Sequence, residues 1–234
     1  MSMNQNKAVF HLHWQDAKIS LYYMWGIFSA ITFLLPILLY FLNHSGENFI
    51  GGFGSVYIFL MIFAMISLKE TFPYALGMGC TRKRYMIGTI LFLSFFAALN
   101  SLLLIIYSWG IHHLMEWLTP NTLIFVSIFS LQKFAVWHVF LAEFLIALSI
   151  LSFFQLGAAL FHRFGFKPFL IFFALLLILP MIPWNIEILG LIEPYFAAES
   201  WIGTIMVVGL IQSLICFFCT WLVLRNSPSK SLRG

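Results

Sequence analysis

Glu143 stands eight residues into the apolar run that starts at Ala135, about 12 Å along a helix, where a carboxylate has to find a partner or water. Two kinds of chemistry fit it. One is an interhelix hydrogen bond, and the other is a polar step on a path through the membrane. His138 points roughly 140° away around the same helix and makes a poor partner, so the partner has to come from another helix or another subunit. Asn100 is a candidate, lying with Ser94 and Ser101 inside the apolar run 85–111. His112, His113 and Glu116 fall within one helical turn, but adjacent histidines do not share a face, and we expect an interfacial loop there rather than a metal site. Cys216 and Cys219 have the spacing of a redox or metal pair, yet they sit in an apolar run, where small-residue packing is the expected role. No Walker A loop, Gly-x-Ser-x-Gly elbow or His-Glu-x-x-His helix occurs. We therefore expect no enzyme and no cofactor bound by this chain, and any ATP-driven work would need an ATPase partner.

The elements that must carry these residues are membrane helices. Of 234 residues 62% are hydrophobic and only 9% charged, too little polar surface for a water-soluble globule. The expected fold class is all-α, a polytopic membrane protein with a single domain over residues 1–234. A net charge of +4 then marks the cytosolic face of a membrane rather than a nucleic-acid site. The polar N-terminus lacks the features of a cleaved signal, so the first span is expected to act as one.

Residues 7–20 place Phe10, Trp14, Ala17 and Leu21 on one face, with His11, Gln15 and Lys18 beside it, as expected of a helix lying in the interface. Six spans follow at 21–42, 49–68, 85–111, 135–160, 169–184 and 201–224. The segment 112–134 reads as an external loop with an interfacial part, and 161–168 as a compact basic turn. Pro180 and Pro183 leave the fifth span about 16 apolar residues, some 24 Å against a hydrocarbon core of ~30 Å. Residues 185–200 mix apolar residues with Glu187, Glu193 and Glu199, as in external re-entrant helices. With both termini cytosolic, eleven of the twelve Lys and Arg residues fall inside and only Lys133 outside.

The longest polar interruption between two spans is 69–84. There Thr71 can cap a short helix that tolerates Pro73 and ends at Gly77 and Gly79, and Thr81 can cap the next helix. Arg82, Lys83 and Arg84 then occupy a first turn whose dipole disfavours cations by roughly 0.3–1 kcal/mol each. Something outside that helix must favour them. Anionic lipid of the cytoplasmic leaflet is one candidate, and an acidic surface on a soluble partner is the other.

With its interfacial N-terminal helix, the stretch Pro73-Tyr74-Ala75-Leu76-Gly77-Met78-Gly79-Cys80-Thr81-Arg82-Lys83-Arg84-Tyr85 and the re-entrant region before the last span, the chain resembles the half-size, six-span permease subunits of bacterial type 2 ABC exporters. The resemblance implies that 69–84 is a coupling loop, with Thr71 to Gly79 as the coupling helix that docks on an ABC ATPase. Phe72, Tyr74 and Leu76 would make its apolar contacts and Arg82, Lys83 and Arg84 its electrostatic ones. It implies ATP and Mg in that partner, a second permease, identical or related, around a shared path, and the bacterial cytoplasmic membrane as location. The expected cargo is amphipathic: a peptide, a lipid-like or a drug-like molecule. The long connection between the third and fourth spans departs from the family's layout. Two other classes fit the same residues: an ion-coupled secondary transporter using Glu143, and a membrane-embedded sensing or immunity protein without transport.

Overall fold

A computed structural model describes residues 2–41, 48–51, 53–118, 122–125, 135–167 and 201–227. Five helices carry nearly all of them: α1 (Ser2–Phe41), α2 (Phe53–Gly77), α3 (Arg82–Leu118), α4 (Val136–Phe164) and α5 (Trp201–Arg225). Each contains a stretch long and apolar enough to cross a bilayer, the mark of a multi-pass membrane protein. Two four-residue strands, β1 (Asn48–Gly51) and β2 (Thr122–Phe125), pair in parallel with Asn48 opposite Thr122.

The order helix, strand, helix occurs twice, as α1–β1–α2 and α3–β2–α4. Like elements lie side by side and run the same way. His13 meets Thr89, Trp25 meets Asn100 and Thr32 meets Tyr107, at separations of 76, 75 and 75 residues, so α1 and α3 stay parallel in one register along their length. Likewise Tyr57 of α2 meets Glu143 of α4 near their starts, and Phe72 meets His162 near their ends. The fifth helix also runs parallel to α4, with Gly209 against Leu145 at one end and Val223 against Arg163 at the other.

Several boundaries differ from the expected ones. Residues 7–20 do not form a separate interfacial helix, because no Gly or Pro interrupts the chain before Gly26 and α1 runs straight through. Its buried stripe is Val9, His13, Ala17, Leu21, Phe28 and Thr32: Ala17 and Leu21 are buried as expected, while the first turns are rotated by one position, with Val9 and His13 buried in place of Phe10 and Trp14. Gly88 explains the rotation: a side chain there would meet Val9 at 2.8 Å, so α1 lies against the bare backbone of α3 and turns Val9 inward. Phe10 and Trp14 instead pack edgewise on Phe92 and Phe95 of α3.

The short coupling helix Thr71 to Gly79 is likewise no separate element. Instead α2 continues to Gly77 through Pro73, which deprives only the Lys69 carbonyl of its helical donor, and Lys69 is exposed. Thr71 caps nothing, since its hydroxyl donates back to the Ser67 carbonyl at 2.6 Å. Gly79 does end the helix, with φ +80, while Cys80 N–H reaches Ala75 O and Gly79 N–H reaches Leu76 O, both at 3.0 Å.

Farther on, the third span ends at Ile111 as expected but α3 continues to Leu118, so 112–118 is helix rather than loop, and 122–125 is strand. Residues 49–51, expected to open the second span, belong to β1. The basic turn expected at 161–168 is helical through Phe164, because His162 and Arg163 suit the negative end of α4 and Gly165 (φ +83) supplies the stop. The fifth span 169–184 and the re-entrant region 185–200 lie outside the described residues. At the centre, Phe63, Phe92 and Phe96 stack at 4.6–6.1 Å between ring centres, with His13 flat against Phe92 at 5.1 Å.

Candidate functional site

Two polar regions stand out among the described residues. The first lies at the end of the bundle where α2, α4 and α5 finish and α3 begins. Lys69, Arg82, Lys83, Arg84, Arg163, Lys167 and Arg225 gather there. The residues expected to face an ATPase divide into two groups. Phe72 is 0% exposed and cannot be a docking contact, since its ring packs edge-on against Tyr85 and His162, both 5.2 Å away. Leu76 is half-buried against the same core. Tyr74 is 56% exposed, and Met78, which the spacing of the sequence did not single out, is 62% exposed. Lys83 is exposed, whereas Arg82 and Arg84 are half-buried, and the Arg82 guanidinium donates to the Arg225 carbonyl.

Beneath this surface a buried chain of polar groups joins α1, α2 and α3. Thr71 spends its hydroxyl proton on the Ser67 carbonyl, so the 2.7 Å contact between Thr71 and Tyr85 has the Tyr85 hydroxyl donating. Thr89 donates to the Tyr85 carbonyl at 2.9 Å, so it accepts from His13 Nε2 at 3.0 Å. The neutral imidazole is then completed by Ser67 donating to Nδ1 at 2.9 Å. Every member is satisfied, which makes the network a rigid joint between three helices. Sequence reasoning missed His13 and Tyr85. The repeat Val9, His13, Ala17, Leu21 at i+4 was the available signal, obscured by assigning the face from hydropathy.

Cys80 closes this region. Burial pushes its thiol upward, against the opposing influence of Arg84 and a backbone hydrogen bond with Tyr85. Impermeant maleimide should therefore label Cys80 slowly at neutral pH, and the rate should still be climbing with pH after that of a free thiol has levelled off. Comparing intact cells with inside-out vesicles also reports the side of the membrane on which this turn lies. Cys216 is buried in α5 and Cys219 half-buried.

Glu143 forms the second region. It is fully buried, and its carboxyl accepts from the Tyr57 hydroxyl of α2, with Ile105, Val139 and Ala142 in the adjoining apolar cluster. Asn100 is not brought to it. The Asn100 side chain accepts from Trp25 Nε1 at 3.3 Å and donates to the Phe96 carbonyl at 2.8 Å. Farther along α4, a groove of about 320 Å³ opens between α4 and α5, mainly apolar but carrying Ser149, Thr204 and Gln212. Of the suggested metal cluster, the side chains of His112 and Glu116 lie outside the described residues, and exposed His113 packs against Trp109. No group of three His, Cys, Asp or Glu among the described residues is placed to hold a metal.

The chain matches no family model, no curated protein and no solved structure.

Proposed function

We propose that this chain is the permease subunit of an ATP-driven exporter of the type 2 ABC class, moving an amphipathic substrate across the bacterial cytoplasmic membrane beside a separate ATPase. The observation that carries the reading is the end of α2 and the turn after it: Tyr74 in the last turn of the helix and Met78 just beyond it stand exposed at the cation-rich end of the bundle, where Lys83 is exposed too and Gly79 supplies the stop. Exposed aromatic and thioether side chains rimmed by cations suit a soluble partner with an acidic-edged groove. ATP and Mg belong to that partner, and a second permease completes the path.

Six spans with cytosolic termini fit the directions of the helices. Because α4 and α5 are parallel, the end of α4 and the start of α5 lie on opposite sides of the bundle. A sixth crossing, assigned to 169–184, reconciles them.

The test is co-purification with the product of an ATPase gene neighbouring its own. The unmodified chain should retain the ATPase, and Tyr74→Asp or Met78→Asp should release it while the permease stays monodisperse. Failure of the unmodified chain to hold any ATPase would overturn the reading. A second reading, an ion-coupled carrier, is favoured by one observation, the buried pairing of Glu143 with Tyr57. Flux that persists without any ATPase would establish it.

A further inference from the structure

We infer that Arg82 is a positioning residue that ties the turn at 78–81 to the end of α5, so that a load on the turn is passed to the last membrane helix. The inference rests on the proposed function only for the source of that load.

The final turn of a helix leaves carbonyls without intrahelical donors. In α5 two of these are filled from other helices: the Arg82 guanidinium donates to the Arg225 carbonyl, and Arg163 Nη1 of α4 donates to the Val223 carbonyl at 3.3 Å. Both are cations at the negative end of a helix dipole. Just beyond the helix, Ser227 is buried, with its hydroxyl 2.9 Å from Nδ1 of His162 and its N–H on the Leu224 carbonyl at 3.2 Å. The Arg225 guanidinium itself turns away over the Trp221 ring, 5.5 Å from its centre. The end of α5 is therefore held by α3 through Arg82 and by α4 through Arg163 and His162.

This arrangement resolves the puzzle of a cation at the first position of α3. Its charge answers the C-terminal end of α5 instead of opposing its own helix. Arg82 also directly follows the turn that bears Met78, which itself continues from the end of α2 where Tyr74 is exposed. His162 supplies a second connection, because its ring meets Phe72 of α2 on one side and Ser227 on the other. A guanidinium, with five donors in a fixed fork, holds a carbonyl from a half-buried position better than the flexible ammonium of lysine.

The experiment places Ser227→Cys in a chain whose three native cysteines are replaced by serine, and follows labelling by a soluble maleimide in inside-out vesicles. The buried position should react slowly. Adding Arg82→Ala should raise the rate roughly tenfold as the end of α5 opens locally, and Arg82→Lys should recover part of the protection. Arg163→Ala should also loosen the position. In the complex with the ATPase, Arg82→Ala should keep co-purification and lose stimulation of ATP hydrolysis. An unchanged labelling rate in Arg82→Ala would overturn the tie. Loss of the ATPase with unchanged labelling would make Arg82 a partner contact instead, and normal stimulation despite a loosened Ser227 position would overturn the transfer of load. If the unmodified chain binds no ATPase, the proposed function fails while the labelling still decides the tie.

Discussion

Phe72→Ala should unfold the cation-rich end of the bundle in detergent, lowering the unfolding midpoint far more than Tyr74→Ala, although the two residues stand two apart in one helix. Phe72 fills the space between Tyr85 of α3 and His162 of α4, and it is fully enclosed. Truncating an enclosed phenylalanine in a water-soluble core costs about 3–5 kcal/mol, partly as transfer and partly as cavity. Beside lipid the transfer share shrinks while the cavity share stays, so the expected loss is near the lower end, about 3 kcal/mol. Exposed Tyr74 loses no such packing and should change stability by less than about 0.5 kcal/mol. Thermal unfolding of the two variants in micelles checks this, with ATPase capture in parallel. Phe72→Ala should lose both stability and capture, whereas Tyr74→Ala should weaken capture alone. Equal midpoints would mean that Phe72 is not enclosed.

Glu143→Leu and Tyr57→Phe should each destabilise the bundle by about 1–3 kcal/mol, and the double variant should lose less than the sum of the two. Each single change removes the hydrogen bond between the two side chains, so the double change removes nothing further from that contact. A double-mutant cycle on unfolding in micelles reads the coupling between them. Transport then separates the two roles of the carboxyl. With a purely structural role, flux across the three variants falls in step with stability. With a role on the path, Glu143→Leu loses flux beyond what its stability accounts for.

The membrane helices were legible because their apolar runs are long and their interruptions polar. The third and last spans, 85–111 and 201–224, fall within α3 and α5, and Gly79 was readable as a stop. Helix ends were less legible, since a residue near an end carries two competing signals. Pro73 argues for a break, yet the one carbonyl it orphans belongs to exposed Lys69, so α2 passes through. His112 and His113 look like the start of a loop, but nothing in that stretch breaks a helix before Leu118. Partners across the bundle were not legible. Glu143 demanded a partner from another helix, but its choice of Tyr57 over Asn100 depends on which residues the packing brings within reach. Of the residues expected to contact the partner, Phe72 failed as one because its neighbours Tyr85 and His162 are distant in sequence.

The parallel pairing of α4 with α5 also bears on how the protein is made. Antiparallel neighbours such as α1 and α2 can close as a hairpin while the chain is still leaving the ribosome. Parallel neighbours cannot, because the chain has to return to the starting side before the second one can run alongside the first. The face of α4 that carries Ser149 and meets Gly209 must therefore wait for the last helix to be synthesised and inserted. Until then Ser149 and the apolar side chains beside it on α4, Ile146, Ile150 and Phe153, lack the cover that α5 gives them. A product that stops before Trp201 lacks the helix that covers this face of α4.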